Sequence, residues 1–173
     1  LDKVKPRVVG LDVLLIEPRI GDDILASSLQ QTNYKLVMGS KIGESSLIYP
    51  IFTAPNVSTG FVNLYQDFDG KIRRTTFQHK TLISSACEKS LALGIFEKYI
   101  LTNTGCENSD KKFNYISGNF KRISIFEAVS GNLKPEDFKN KIVLIGSTVV
   151  DLKNNLDDNF LRVFGNTIPG VEV

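Results

Sequence analysis

Apolar positions along the chain fall into runs of different period, and the runs predict the elements. Val8 to Ile16, VVGLDVLLI, is almost continuously apolar, the pattern of a strand buried on both faces. Asp12 interrupts it and Glu17-Pro18 ends it. Asp22 or Asp23, after Gly21, is placed to cap a helix from about Ile24 to Gln31. Tyr34 to Gly39, YKLVMG, reads as a second strand. Strand, helix, strand in that order is a parallel βαβ unit, right-handed by default.

Lys41 to Thr59 carries Gly43, Pro50, Pro55 and Asn56 and reads as a long surface connection. Gly60 to Tyr65 and Lys71 to Phe77 flank Asp69-Gly70, a strong hairpin signal. From Lys80 to Leu101, Leu82, Ile83, Ala86, Cys87, Leu91, Gly94, Ile95 and Tyr99 recur at three- and four-residue steps. That spacing predicts one long helix lying on a sheet. Thr102 to Lys112 is a polar loop, Phe113 to Ile116 a short strand, and Ser124 to Val129 a short helix closed by Gly131. Lys141 to Gly146, KIVLIG, is another all-apolar strand after a Lys. These elements predict an α/β fold: a mixed, partly parallel sheet flanked by helices, with a β-hairpin, in a single compact domain.

Composition narrows the function classes. The length of 173 residues suits one domain with its own core. Lys plus Arg is 21 and Asp plus Glu is 19, a net charge of +2. That argues against binding nucleic acid through phosphate neutralisation. One His and two Cys are too few for a Cys/His zinc site, and no metal or cofactor is expected. Cys87 and Cys106 can pair, or stay reduced as one core thiol and one loop thiol. There is no run of about 18 apolar residues, so nothing within the chain spans a membrane. The start at Leu1 and the stop after an apolar Pro-Gly segment read as a piece cut from a longer protein.

Several residues carry candidate chemistry. Asp12 stands inside a buried strand pattern, so its carboxylate needs a partner. It is either a structural acid or an acid at the edge of a ligand crevice beyond the strand ends. Asp67-x-Asp69-Gly70 resembles the start of a calcium loop, but Lys71 and Gln78 fall at ligand positions 5 and 12, which favours a plain β-turn. Strand alternation would send Arg73 and Arg74 to opposite faces, one of them inward toward Asp12, Asp67 or Asp69. Asp157 and Asp158 could join Asp12 in a carboxylate cluster. His79 is the sole imidazole, and no GxSxG accompanies it. A Cys87–His79 pair is conceivable, but Cys87 falls on the apolar face of the predicted helix, eight residues on.

The ordered set GLDVLL, GFVN followed by DFDGKIRR, KIVLIGST with LDDNF, and IPGVEV resembles the type-2 CHASE domain, from about Arg7 to Val173. The resemblance implies a non-catalytic sensor module on the extracytoplasmic side of a bacterial membrane, periplasmic or extracellular. Its partners would be its own transmembrane helices and a cytoplasmic output domain, a histidine kinase, Ser/Thr kinase or nucleotide cyclase. The family positions that carry over are Asp12, Asp67, Asp69, Arg74, Tyr115, Asp157 and Asp158 as ligand-binding or signalling candidates. Gly70, Lys141, Gly146, Pro169 and Gly170 carry over as structural positions. After Asp158 the segment NFLRVFGNTIPG lacks a Pro common in the family.

The expectation is therefore residues 1–173 as an extracytoplasmic sensor domain excised from a larger transmembrane receptor. Its signal is a small molecule or a protein, with Asp12, Arg74 and Asp157 as a polar set at the strand ends. The alternative is a non-catalytic protein-interaction or dimerisation module, including a homodimer.

Overall fold

A computed structural model describes residues 1–44, 46–80, 86–107, 110–112 and 120–147, with the backbone of 159–161 and 167–169. After a short turn at Asp2–Val4, the elements run β1 (Val8–Asp12), α1 (Asp22–Gln30), β2 (Lys35–Ile42), β3 (Leu47–Ile48), β4 (Val57–Phe61), β5 (Arg74–Thr76), β6 (Gln78–Lys80) and β7 (Cys87–Lys89). They continue α2 (Leu91–Ile100), β8 (Asp110–Lys112), α3 (Ile125–Val129), α4 (Pro135–Phe138), β9 (Ile142–Gly146), β10 (Asn159–Leu161) and β11 (Thr167–Pro169).

The core is a parallel sheet in the order β4-β2-β1-β9, with β3 antiparallel on the end of β2. Register fixes which residues share a face. Val9 pairs with Leu36 and Val143, and Leu11 with Met38 and Ile145. That face packs on Leu25, Ala26 and Leu29 of α1 and on Phe52. Val8 and Val37 point the other way, to Leu91, Ile95 and Tyr99 of α2. Helices cover both faces, which explains why β1 and β2 read as continuous apolar runs rather than alternating ones. Two glycines let α2 sit this close. A Cβ on Gly60 would lie 2.7 Å from the Leu91 Cα, and one on Gly10 would lie too close to the Ile95 side chain.

The predicted βαβ unit, the short helix after Ser124 and the KIVLIG strand all form. Three details differ. The cap of α1 is Gly21 at φ 93°, not an aspartate; Asp22 instead accepts the Arg19 N–H at 2.6 Å from within the first turn. The segment 57–61 is not half of a hairpin but a parallel partner of β2, and β5 pairs antiparallel with β8 instead. The Asp67–Gly70 turn does form, with Gly70 N–H on Asp67 O at 2.8 Å. The hairpin-like pair of the fold is β6–β7.

The long helix predicted from Lys80 is shorter, beginning at Leu91. Ser90 starts it by accepting the Leu93 N–H at 3.2 Å. Cys87 lies upstream in β7, where strand pairing with β6 and a disulfide to Cys106 hold the chain extended. The three- and four-residue spacing crosses a strand as well as a helix, and local pattern alone does not separate them. The strand predicted at 113–116 lies outside the described residues.

The segment after α2 is pinned from several sides. Cys106 is bonded to Cys87, with Cα atoms 5.9 Å apart. The buried Glu97 carboxylate takes both oxygens to Lys89 Nζ, at 2.9 and 2.8 Å, and also accepts the Thr104 N–H and hydroxyl at 2.6 Å. Burial alone pushes that carboxyl up, but the Lys89 and Thr104 hydrogen bonds outweigh it and hold it below its ordinary value. Buried Gln78 donates to Thr104 Oγ1 and to the Gly105 carbonyl, and accepts from the Glu107 N–H. This polar network holds residues 104–107 against β6 and α2.

Candidate functional site

Two places gather the candidate residues. The first is the carboxyl end of the sheet. The chain runs β1, β2, β4 to one side and returns to β9 on the other side of β1. The topological switch therefore lies between β1 and β9, where α/β sheets place ligands. Asp12, half-buried, ends β1 there, directly beside Gly146 at the end of β9. A cavity of about 280 Å³ opens just beyond, lined by residues 13–17 with Arg19, Asp22 and Phe52. Lys141 serves the opposite end of β9: its carbonyl accepts the Arg7 N–H at 3.0 Å and its N–H reaches the Phe138 carbonyl.

The second place is the ribbon formed by β5 and β8, with the turn before it. Asp69 receives Arg73 through both carboxylate oxygens, at 2.8 and 2.6 Å. Asp67 receives Arg73 at 2.8 Å and Arg74 at 3.2 Å. Gly70 adopts φ 77°, which closes the turn and aims both aspartates at Arg73. The Arg73 guanidinium beside Asp69 holds that carboxyl down to about 2, and Arg73 with Arg74 lowers Asp67 as well. The two carboxylates raise Arg73 in turn. The expected split of Arg73 and Arg74 to opposite faces does not occur. β5 begins only at Arg74, so alternation does not govern Arg73, and both guanidinium groups reach Asp67. Ile72, two residues after the turn's Gly70, is fully buried.

Where a calcium loop would hold its cation, Arg73 supplies the positive charge. Beside the turn lies another cavity of about 280 Å³, lined by Tyr65, Gln66, Asp67, Arg74, Thr75, Thr76 and Asp110. Thr76 donates its hydroxyl to Asp110 at 2.5 Å. Across the ribbon, Arg74 stands opposite Lys112 and Thr76 opposite Asp110.

The structure thus brings together Asp67, Asp69, Gly70 and Arg74. It puts Asp12 in the central sheet and Arg74 in the ribbon, on different elements. Pro169 ends β11, its backbone paired with Asn159. Tyr115, Asp157, Asp158 and Gly170 lie outside the described residues. Sequence reasoning missed Tyr65, Thr76, Asp110 and Lys112. No local signal marks them, because 34 residues separate Thr76 from Asp110. Cys87 is consumed in the disulfide, so it offers no thiolate to His79, which instead faces Glu88 across β6–β7. Among the described residues no group of three or more His, Cys, Asp or Glu is placed to hold a metal ion.

The family model of the CHASE2 domain matches residues 1–173, the full length of the chain. No curated protein and no solved structure matches it. The chain belongs to the CHASE2 family, known as a non-catalytic, extracytoplasmic sensory module of bacterial signalling proteins.

Proposed function

We propose, with CHASE2 membership as the premise, that residues 1–173 are the extracytoplasmic signal-input domain of a larger bacterial transmembrane signalling protein. Its output domain is a histidine kinase, a Ser/Thr kinase or a nucleotide cyclase, reached through transmembrane helices outside this chain. The input site is the Asp67–Arg74 cavity, with Asp69 and Gly70 shaping it and Asp12 at the sheet end as a second contact region. The carrying observation is the disulfide Cys87–Cys106, which ties β7 to the segment after α2. Such a bond persists outside the cytoplasm and is reduced inside it.

Thiol trapping and output assays on the full-length protein in intact cells test this. With a maleimide added before lysis, both cysteines should be protected until a reductant is applied. Arg74→Ala should reduce the stimulated output at least several-fold with the protein still in the membrane. Two free thiols would overturn the placement, and a normal response of the Arg74 variant would overturn the input site.

A second reading, an interaction or dimerisation module, is favoured by one observation. Helix α3 leaves Ile125, Phe126 and Val129 largely exposed, Phe126 at 83 %, with Phe120 exposed nearby in sequence. Exposed apolar clusters of this kind mark partner surfaces. Sedimentation of the chain over a range of concentrations decides it: a dimer that Phe126→Ser dissolves supports the module, and a monomer throughout removes self-association.

A further inference from the structure

The ribbon cavity holds both signs of charge, and this restricts what fits. Its volume of about 280 Å³ lies near the lower limit, ~300 Å³, of small-ligand sites. We propose that it binds a small zwitterion of the amino-acid class, its carboxylate on Arg74 and Lys112 and its ammonium on Asp110. This rests on the assignment of the ribbon as the input site and names the ligand class.

Arg74 spends one nitrogen, Nη2, on Asp67, and its side chain is 57 % exposed. Nη1 and Nε remain to receive a carboxylate. Lys112 stands directly across from it, and like charges in that register repel. A carboxylate between the two relieves the repulsion. Asp110 uses Oδ1 to accept the Thr76 hydroxyl, and its Oδ2 has no partner among the described residues. Asp67 is not open to an ammonium group, because Arg73 and Arg74 already occupy both of its oxygens; it holds Arg74 in place.

Placement agrees with this division of roles. Arg74 and Asp110 are diagonal neighbours on one face of the antiparallel pair, within reach of long side chains, and both line the cavity. A simple anion would meet Asp110, and a simple cation would meet Arg74 and Lys112. Tyr65 and Gln66 form the wall that a ligand side chain would touch.

Isothermal titration of the 173-residue chain tests the proposal, with the proteinogenic L-amino acids as probes. Propionate, 3-phenylpropionate, ethylamine and 2-phenylethylamine serve as analogues lacking one charge. At least one amino acid should bind, with the matching acid and amine at least ~10-fold weaker, because each leaves a charged group unpaired. Asp110→Asn should weaken the amino acid at least ~10-fold while leaving the melting temperature without ligand unchanged, since the amide oxygen can still accept from Thr76. Arg74→Gln should do the same. Equal binding of propionate and alanine, unaltered binding in Asp110→Asn, or no binding by any amino acid overturns the zwitterion. If the full-length Arg74→Ala protein still loses its response in any of those cases, the input site survives and only the ligand class falls. If it responds normally, both fall.

Discussion

In the central sheet Val8, Val9, Val37 and Met38 are at most 1 % exposed, packed between α1 and α2. In the β5–β8 ribbon Arg74, Asp110, Lys111 and Lys112 all face water. The sheet is held by apolar burial, which neither moderate salt nor pH alters much. The ribbon is held by a short antiparallel pairing and the Thr76–Asp110 hydrogen bond, and the turn before it by largely exposed ion pairs, each worth little because water screens it. On the proposed assignment of the ribbon as input site, a ligand would act on this weakly held edge and leave the packed sheet as it is.

Three experiments test this contrast. The largest effect belongs to the sheet. Met38→Ala should remove ~2–5 kcal/mol of stability, the range for emptying a fully buried site. Urea unfolding measures it, and a loss below ~1 kcal/mol would mean that the sheet is not the seat of stability. The disulfide comes next. Replacing both Cys87 and Cys106 with Ser opens a loop with a sequence separation of 19, which should cost ~3 kcal/mol. Amide exchange should quicken most in residues 101–107 and 110–112, while β1 and β2 keep their protection relative to global unfolding. Uniform acceleration would show that the two regions unfold as one.

The smallest effect is local and acidic. Asp69 has a folded-state value of about 2 against an ordinary 3.8. A depressed carboxyl stabilises the fold in full above its unfolded value and loses that contribution as pH falls through the folded one. The Arg73 fork should therefore persist above about pH 4 and release toward pH 2. Carboxyl NMR should show Asp69 titrating near the lower value, with the Val9 and Met38 methyl signals unmoved until global acid unfolding. A midpoint near 3.8 would mean that the fork does not form.

Much of the sheet was legible along the chain. VVGLDVLLI and KIVLIG become the adjacent strands β1 and β9; β1 is covered on both faces, as its apolar run implies, whereas β9 ends the sheet and leaves Ile142 and Leu144 exposed. Strand ends were less legible: β1 stops at Asp12, and Val13 to Ile16 go on to line a cavity. The helix from Lys80 was overextended because a periodic apolar spacing does not register a disulfide or a partner strand. At the candidate site, the Asp67–Gly70 turn and the need of an Arg for carboxylate partners could be read locally, and the structure supplies both. Asp110 and Lys112 could not, since they read as part of a polar loop.

Local sequence carries the parallel βαβ start, the apolar strands, the turn at Asp69-Gly70 and the resemblance to the CHASE2 family. Each of these depends on residues near one another in the chain, where period, capping and turn chemistry act. Tertiary structure decided that β4 joins the main sheet, that β5 finds β8, that Cys87 meets Cys106, and that Arg74 stands opposite Lys112 and lines one cavity with Asp110. Those pairings join residues 19 to 38 positions apart, and they arise only once burial of the sheet has brought distant segments into register.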